Sequence, residues 1–239
     1  MFTRSFLKPV VAALAVSTSA LFGGSITVGV NNGGNGFPFG ASGTPGNRYQ
    51  EAYSSSLFSG PITITGIDFF RSGVNGTLWG GTFLLSLSTI SANVNSLSNV
   101  FFNSNLGANN ALFASMTLSG AAPAVLSFTG GPFLYDPSQG NLLLDISIAN
   151  LANNSPSAAF EDENGSGPPT IARYQNFGFG TVGYGLVTQF DAGAVATPEP
   201  GTLGLLGVAL IGMAGWRLRR VSYRLARGKK RIEGDSPCP

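Results

Sequence analysis

The stretch GNLLLDISIAN, residues 140–150, alternates side chains with the period of a β-strand. One face carries Leu142, Leu144, Ile146 and Ile148, and the other carries Leu143, Asp145 and Ser147. Such an alternation is typical of a strand with one face in a core. Asp136 and Pro137 just before this stretch, and Gly140 at its start, favour a tight turn. We therefore expect a strand here, entered through a turn.

The same alternation recurs in other parts of the chain. In TFLLSLSTI, ALFASMTLS and PAVLSFT it assigns these residues to buried faces: Phe83, Leu85 and Leu87; Leu112, Ala114, Met116 and Leu118; Ala124, Leu126 and Phe128. The stretch PITITGIDFF begins with Ile62 and Ile64 and changes phase to Ile67 and Phe69 across Gly66. Because one extra residue exchanges the two faces of a strand, this change predicts a β-bulge at Gly66.

Helical periodicity is missing from residue 25 to about residue 195. Short alternating strands separated by turn residues indicate two sheets packed face to face. We predict an all-β fold for residues 21–195, a two-sheet sandwich whose strands follow a jelly-roll-like topology.

The composition limits the chemistry that the chain can perform. It has no histidine, which excludes Ser-His-Asp and Cys-His catalysis and histidine-ligated zinc. Its single cysteine, Cys238, cannot form an intrachain disulfide. Residues 21–195 carry three arginines against eight acids, a balance of −5, so nucleic-acid binding has no support there. Residues 196–239 carry eight basic residues against three acids, a balance of +5.

The N-terminal end has the pattern of a targeting segment. Residues 1–20 begin with Arg4 and Lys8, continue with an apolar run, and end with small residues, Thr18 and Ala20, that suit a cleavage site. This order predicts a signal peptide over residues 1–20. The alternative is a buried N-terminal helix.

The C-terminal end has a second targeting pattern. Pro198, Glu199 and Pro200 precede residues 201–216, which carry no charge. Sixteen residues of helix extend roughly 24 Å, a little less than a hydrocarbon core of about 30 Å. A stop-transfer basic cluster follows, consisting of Arg217, Arg219, Arg220 and Arg224. We predict one transmembrane helix over 201–216 with the body outside the cytoplasm. The alternative is a basic helix lying on a membrane or packed on the body.

The Pro-Glu-Pro motif, the uncharged span and the basic cluster follow one another in this order. Through them, residues 196–220 resemble the PEP-CTERM sorting tail of Gram-negative, exopolysaccharide-producing bacteria. The same domain is also labelled ice-binding protein C-terminal domain. The resemblance implies recognition of Pro198, Glu199 and Pro200 by exosortase, a membrane cysteine peptidase-transpeptidase. It also implies a precursor in the cytoplasmic membrane and a product at the cell surface or in the extracellular matrix. Unlike such tails, this chain continues through a basic extension, residues 221–239, so permanent anchoring in the membrane is an alternative.

Two aspartates are the candidates for an enzymatic site. A glycosidase needs two carboxyl groups about 5–10 Å apart. Asp68 and Asp145 lie in predicted strands, each opposite an apolar set, and a concave sheet would be needed to pair them. Each also fits a solvent-facing strand position. We therefore expect no catalytic residues, with a glycoside hydrolase as the alternative.

Two further clusters are candidates for binding. Glu161, Asp162 and Glu163 in FEDENGSG place carboxylate oxygens on a predicted flexible loop, which suits Ca²⁺, although a solvated acidic turn is the alternative. The aromatic cluster comprises Tyr174, Phe177, Phe179 and Tyr184. Its rings either present flat faces to a glycan or pack in the core. Ice binding would need repeated Thr-x-Thr, of which Thr63–Thr65 is a single instance.

These observations predict an exported, non-enzymatic protein without a required cofactor. We expect a structural or glycan-binding role in the exopolysaccharide matrix, after sorting through the C-terminal tail.

Overall fold

A computed structural model describes residues 24–40, 47–73, 75–152, 155–165, 170–175 and 179–194. The chain divides into two compact units, Met1–Val195 and Ala196–Pro239, and the described residues belong to the first. The predicted signal peptide (1–20), transmembrane helix (201–216) and basic extension (221–239) lie outside the described residues. In the part of the chain that is described, no helix has the length and apolar character needed to cross a membrane.

The described residues form thirteen β-strands and three short 3-10 turns, without an α-helix. The strands are β1 (Gly24–Val28), β2 (Gly33–Asn35), β3 (Arg48–Tyr53), β4 (Ile62–Ser72), β5 (Gly80–Ile90), β6 (Ala111–Leu118), β7 (Val125–Tyr135), β8 (Asn141–Ala152), β9 (Ala159–Asn164), β10 (Ile171–Gln175), β11 (Phe179–Val182), β12 (Tyr184–Leu186) and β13 (Thr188–Ala194). The 3-10 turns are Ser55–Leu57, Phe102–Asn105 and Pro137–Gln139.

The strands make two antiparallel sheets. The seven-stranded sheet has the order β1-β13-β4-β9-β12, with β2 also paired to β9 and β7 also paired to β4. The six-stranded sheet has the order β11-β10-β3-β8-β5-β6. The predicted all-β fold with two sheets is confirmed, and the jelly-roll topology stays a prediction.

Both sheets contribute to one hydrophobic core. Phe39, which is fully buried after β2, contacts Phe69 and Phe128 of the seven-stranded sheet and Phe83 of the six-stranded sheet, with ring centroids 4.9 to 5.7 Å apart. Tilted and stacked aromatic contacts of this kind add to the favourable free energy of burial. One aromatic side chain outside both sheets therefore joins them.

The predicted bulge in β4 is confirmed. In the ladder with β13, Ile64 pairs with Ala192 and Gly66 pairs with the preceding residue, Asp191, so Thr65 is the extra residue of β4. The ladder between β4 and β7 shifts at the same place, but there residues 130–132 of β7 lie opposite Thr65, so the extra residues belong to β7. The bulge places the apolar residues on both sides of it in the core, with Ile64, Ile67 and Phe69 fully buried.

The predicted turn and strand at residues 136–150 are also confirmed. Asp136 caps the 3-10 turn by accepting a hydrogen bond from the Ser138 amide, and Gly140, with φ 141°, leads into β8. The predicted apolar face of β8 lies in the core. Leu143, on the opposite face, is nevertheless fully buried, because a second layer covers that side of the sheet.

The predicted face of β6 is wrong at Leu112. Leu85 of β5 pairs with Ala114 and Ser86 pairs with Leu112, so Phe113 is the extra residue of a bulge. As a result Phe113 is buried, and Leu112 is 60% exposed. No glycine or change of phase marks this bulge in the sequence, which is why alternation alone assigned Leu112 to the core.

The second layer on the six-stranded sheet is residues 91–110, which we call the covering segment. Its apolar residues Val94, Leu97, Phe102 and Leu106 pack with Ala52, Leu143 and Tyr174 from the outer face of the sheet. The segment contains the 3-10 turn Phe102–Asn105 and no strand. It explains why central strands of this sheet are apolar on both faces.

The first and last strands of the described body pair with each other. β1 lies against β13 from Gly24↔Ala192 to Val28↔Thr188, and β13 lies against β4 on its other side. The seven-stranded sheet is therefore completed by strands from both ends of the body.

Candidate functional site

Asp68 and Asp145 lie in different sheets, on opposite outer faces of the body. Asp68 is on β4 between the buried Ile67 and Phe69, and it accepts a hydrogen bond from Gln189 at 3.4 Å. Asp145 is on the outer face of β8, where it pairs with Arg48 and accepts a hydrogen bond from Gln50 at 2.9 Å. Because the core separates the two carboxyl groups, the structure does not bring the predicted glycosidase pair together.

The predicted acidic loop at residues 161–163 is wrong, because these residues form strand β9. Asp162 and Glu163 are 4% and 3% exposed, so they are not solvated. Consecutive strand residues point to opposite faces and do not converge on one ion. Within the described ranges no group of three or more Asp, Glu, Cys or His side chains is arranged to hold a metal. Calcium stays a prediction without a set of ligands.

The aromatic cluster does not form a flat surface at Tyr174. That ring is 3% exposed and packs under the covering segment, where its hydroxyl donates to the carbonyl of Val94, so the predicted glycan contact is wrong there. Tyr184 is half-buried, with the Arg173 guanidinium 5.3 Å from its ring centroid. Phe179 lies in β11, and Phe177 lies outside the described residues.

A carboxyl group that sequence patterns do not single out lies deep in the core. Glu51 of β3 is fully buried, and one of its oxygens accepts hydrogen bonds from the Tyr49 hydroxyl at 2.7 Å and the Leu186 amide at 3.1 Å. Its other oxygen has no hydrogen-bond partner among the described residues. Gly185 makes room for that oxygen, since a Cβ there would lie 2.4 Å from it.

Burial raises the pKa of Glu51 from 4.5 to about 8, against the opposing effect of its hydrogen bonds from Tyr49 and Leu186 and of the nearby Arg173. Burial likewise raises the pKa of Asp162, and Arg173 at 3.5 Å opposes this. A carboxyl group with a raised pKa is a frequent component of catalytic sites. Glu51 and its neighbours Tyr49 and Tyr53 are, however, 0% exposed. No substrate reaches Glu51 in this conformation, so its geometry fits a structural role.

The described body has an open groove beside the covering segment, with a volume of about 560 Å³. The end of β5, the covering segment and the turn before β8 form its walls. Its polar lining includes Thr89, Ser91, Ser96, Ser104, Asn105 and Gln139, and its apolar lining includes Ile90, Leu97 and Leu106. No charged side chain is among its described lining residues. The volume is within the usual range for small-ligand sites.

Buried hydrogen bonds hold the covering segment in place. The Asn105 amide group donates to the Gln50 side chain at 2.7 Å and to the Ser98 carbonyl at 2.8 Å, and its oxygen accepts from the Ser98 amide. Gln50 in turn donates to the Phe102 carbonyl at 3.1 Å. Arg48 connects Asp145 to Asn103 at the same face. The groove wall is thus fixed to the sheet before any ligand arrives.

The sequence carries only a weak sign of this groove. Residues 91–110 are rich in Ser and Asn and lack alternation, which is typical of any surface loop. Nothing local indicates that they fold back on the sheet, because the contacts that hold them come from β3 and β10, far away in the chain.

The fold and the C-terminal sequence define an all-β ectodomain joined to a protein-sorting tail. The family model described as the PEP-CTERM protein-sorting motif matches residues 196–220, and the predicted motif is thereby confirmed. It implies that the protein is exported and sorted by exosortase. The match covers the tail alone, and no curated protein and no solved structure shows significant similarity to this chain.

Proposed function

We propose that this protein is a non-enzymatic component of the cell surface or of the exopolysaccharide matrix, with a structural or glycan-binding role. The observation that carries the proposal is the sorting motif at residues 196–220, which directs an ectodomain to that location. The placement of the acids supports a non-enzymatic role, because Asp68 and Asp145 lie on opposite faces and Glu51 is enclosed. The signal peptide over residues 1–20 and the membrane span over 201–216 belong to the same proposal.

The proposal is tested by the intact mass of the protein in the host. We expect a full-length form, less its signal peptide, in the membrane fraction and a shorter form in the matrix and medium. The shorter form should end near Pro198–Pro200 and lack Arg217 to Arg231. A protein found only at full length and only in membranes would overturn the sorting step and establish permanent anchoring.

A variant of the motif separates processing from simple leakage. Replacing Pro198, Glu199 and Pro200 together by alanine should leave the precursor in the membrane and remove the short form. The matched control replaces three residues of the extension, Val221, Ser222 and Tyr223, and should be processed like the wild type. Normal release of the motif variant would contradict recognition at these residues.

A further inference from the structure

We infer that the groove beside the covering segment is a binding site for an uncharged saccharide, and that the exposed ring of Phe101, whose backbone is held by two serines of the lining, contacts the same ligand. The inference deepens the proposed function and rests on it, since it names a site and a ligand class for the glycan-binding role. It also replaces the predicted aromatic cluster, in which Tyr174 is buried.

The chemistry of the groove favours a neutral, hydroxyl-rich ligand. The serine and threonine hydroxyls and the Gln139 amide of the lining both donate and accept hydrogen bonds, as saccharide hydroxyls require. Partly buried Leu97 and Leu106 offer apolar surface to the C–H face of a sugar ring. An anionic polysaccharide would find no cation in the lining, and the ectodomain balance of −5 would repel it.

Phe101 is an independent indication of a ligand. Its side chain is 73% exposed, although Phe102, the other aromatic residue of the covering segment, packs on the sheet. Exposed aromatic rings present flat apolar faces that suit stacking on a sugar ring.

Serines that line the groove hold Phe101 in place. The Ser98 hydroxyl accepts from the Phe101 amide at 2.8 Å, and the Ser104 hydroxyl donates to the Phe101 carbonyl at 2.6 Å. The backbone that carries the ring is therefore fixed on both sides, and little backbone conformational entropy is lost when the ring binds.

The experiment is affinity electrophoresis of the full chain, purified in mild detergent, through gels that contain dextran, laminarin, galactomannan or alginate. We expect retardation in at least one neutral gel and none in alginate. Phe101→Ala should weaken the interaction about tenfold. Leu134→Ala is the matched control, because Leu134 is also a large exposed apolar residue, 61% exposed, but lies on β7 of the other sheet. It should bind like the wild type.

A second pair of variants tests the groove itself. Ala108→Trp adds bulk at an exposed lining position and should weaken binding. Ala124→Trp should not, because Ala124 lies outside the lining and is exposed in the structure, although alternation assigned it to a buried face. The inference would be overturned if no neutral polysaccharide slowed the wild-type protein. It would also be overturned if Phe101→Ala bound as tightly as the wild type, or if alginate slowed the protein as much as the neutral polysaccharides do. If the protein is nevertheless found in the matrix, the proposed function stands and only the site is wrong. Absence from the matrix would instead overturn the proposed function.

Discussion

Glu51 shows at the scale of a single residue how this core accommodates an acid. The carboxyl group receives two hydrogen bonds on one oxygen and none on the other, and it lies beside two tyrosines and a glycine. A buried charge without full compensation costs several kcal/mol, so the neutral form is favoured. The raised pKa of Glu51 expresses the same preference.

We predict that Glu51 makes the free energy of unfolding fall as the pH rises from about 4.5 to about 8. In this window the folded state keeps a proton that the unfolded state has lost, so raising the pH favours unfolding. Asp162, whose pKa burial also raises, adds to the fall at the lower end. Glu51→Gln should remove most of the effect and be more stable than the wild type at pH 8, by a few kcal/mol at most. Urea unfolding of both proteins at pH 5, 6.5 and 8 measures how their free energies of unfolding depend on pH.

The control for this prediction is Asp191→Asn, which removes an exposed carboxyl group from β13. Its unfolding free energy should follow the wild-type pH dependence. Parallel curves for Glu51→Gln and the wild type would show that the buried carboxyl is ionised at neutral pH and that our account of it is wrong.

Alternation in β3 places Glu51 on the same face as Tyr49 and Tyr53, yet no local pattern reveals that Leu186 lies against it.

The covering segment is the element that most distinguishes this body from a plain two-layer sandwich. Its attachment depends on close approach at Gly107, where a Cβ would lie 1.9 Å from the carbonyl oxygen of Thr89. The Gly107 amide also donates to the Ser88 hydroxyl at 3.2 Å. A side chain at this position must push the segment away from β5.

We predict that Gly107→Ala lowers the free energy of unfolding by about 1–3 kcal/mol, because overpacking against backbone forces a shift. Gly60→Ala is the control, since nothing lies within 4 Å of its Cβ position. That variant should be within about 0.5 kcal/mol of the wild type. Chemical denaturation compares the two, and hydrogen exchange at residues 91–110 reports local loosening. Equal stability of the two variants would contradict the close approach of Gly107 to the Thr89 carbonyl.

A strand start or a bulge could be predicted from the sequence where a glycine, a turn residue or a change in the alternation marks it. Gly66 and the phase change around it predicted the bulge in β4, and the turn residues before β8 predicted its start. The bulge at Phe113 has no such mark, so Leu112 was assigned to the wrong face. Likewise, the burial of Leu143 and Tyr174 depends on a layer whose position is decided by contacts distant in sequence, and alternation within one strand carries no information about it.

Over the whole molecule, stability depends on the aromatic contacts that join the two sheets. Phe39 is 0% exposed and contacts rings of both. We predict that Phe39→Ala lowers the free energy of unfolding by about 3–5 kcal/mol, through lost burial and the cavity left behind. Phe101→Ala removes the same atoms from a ring that is 73% exposed and should have a small effect.

Urea denaturation of both phenylalanine variants measures this difference. A loss for Phe101→Ala comparable with that for Phe39→Ala would contradict the placement of the two rings. A near-native Phe101→Ala also shows that its effect on saccharide binding is not a folding defect. The sandwich as a whole was predictable because alternation recurs in many strands, whereas the contacts of Phe39, which lies in no strand, were not.

The pairing of β1 with β13 has a consequence for the order of events during export. A chain that leaves the cytoplasm N-terminus first delivers Gly24–Val28 long before Thr188–Ala194, so β1 has no partner until almost the whole body has emerged. Only three residues separate the end of β13 from Pro198 of the sorting motif. With the export that we propose through a signal peptide at residues 1–20, the last strand and the motif emerge together, and we expect the ectodomain to complete its fold only when the tail reaches the membrane.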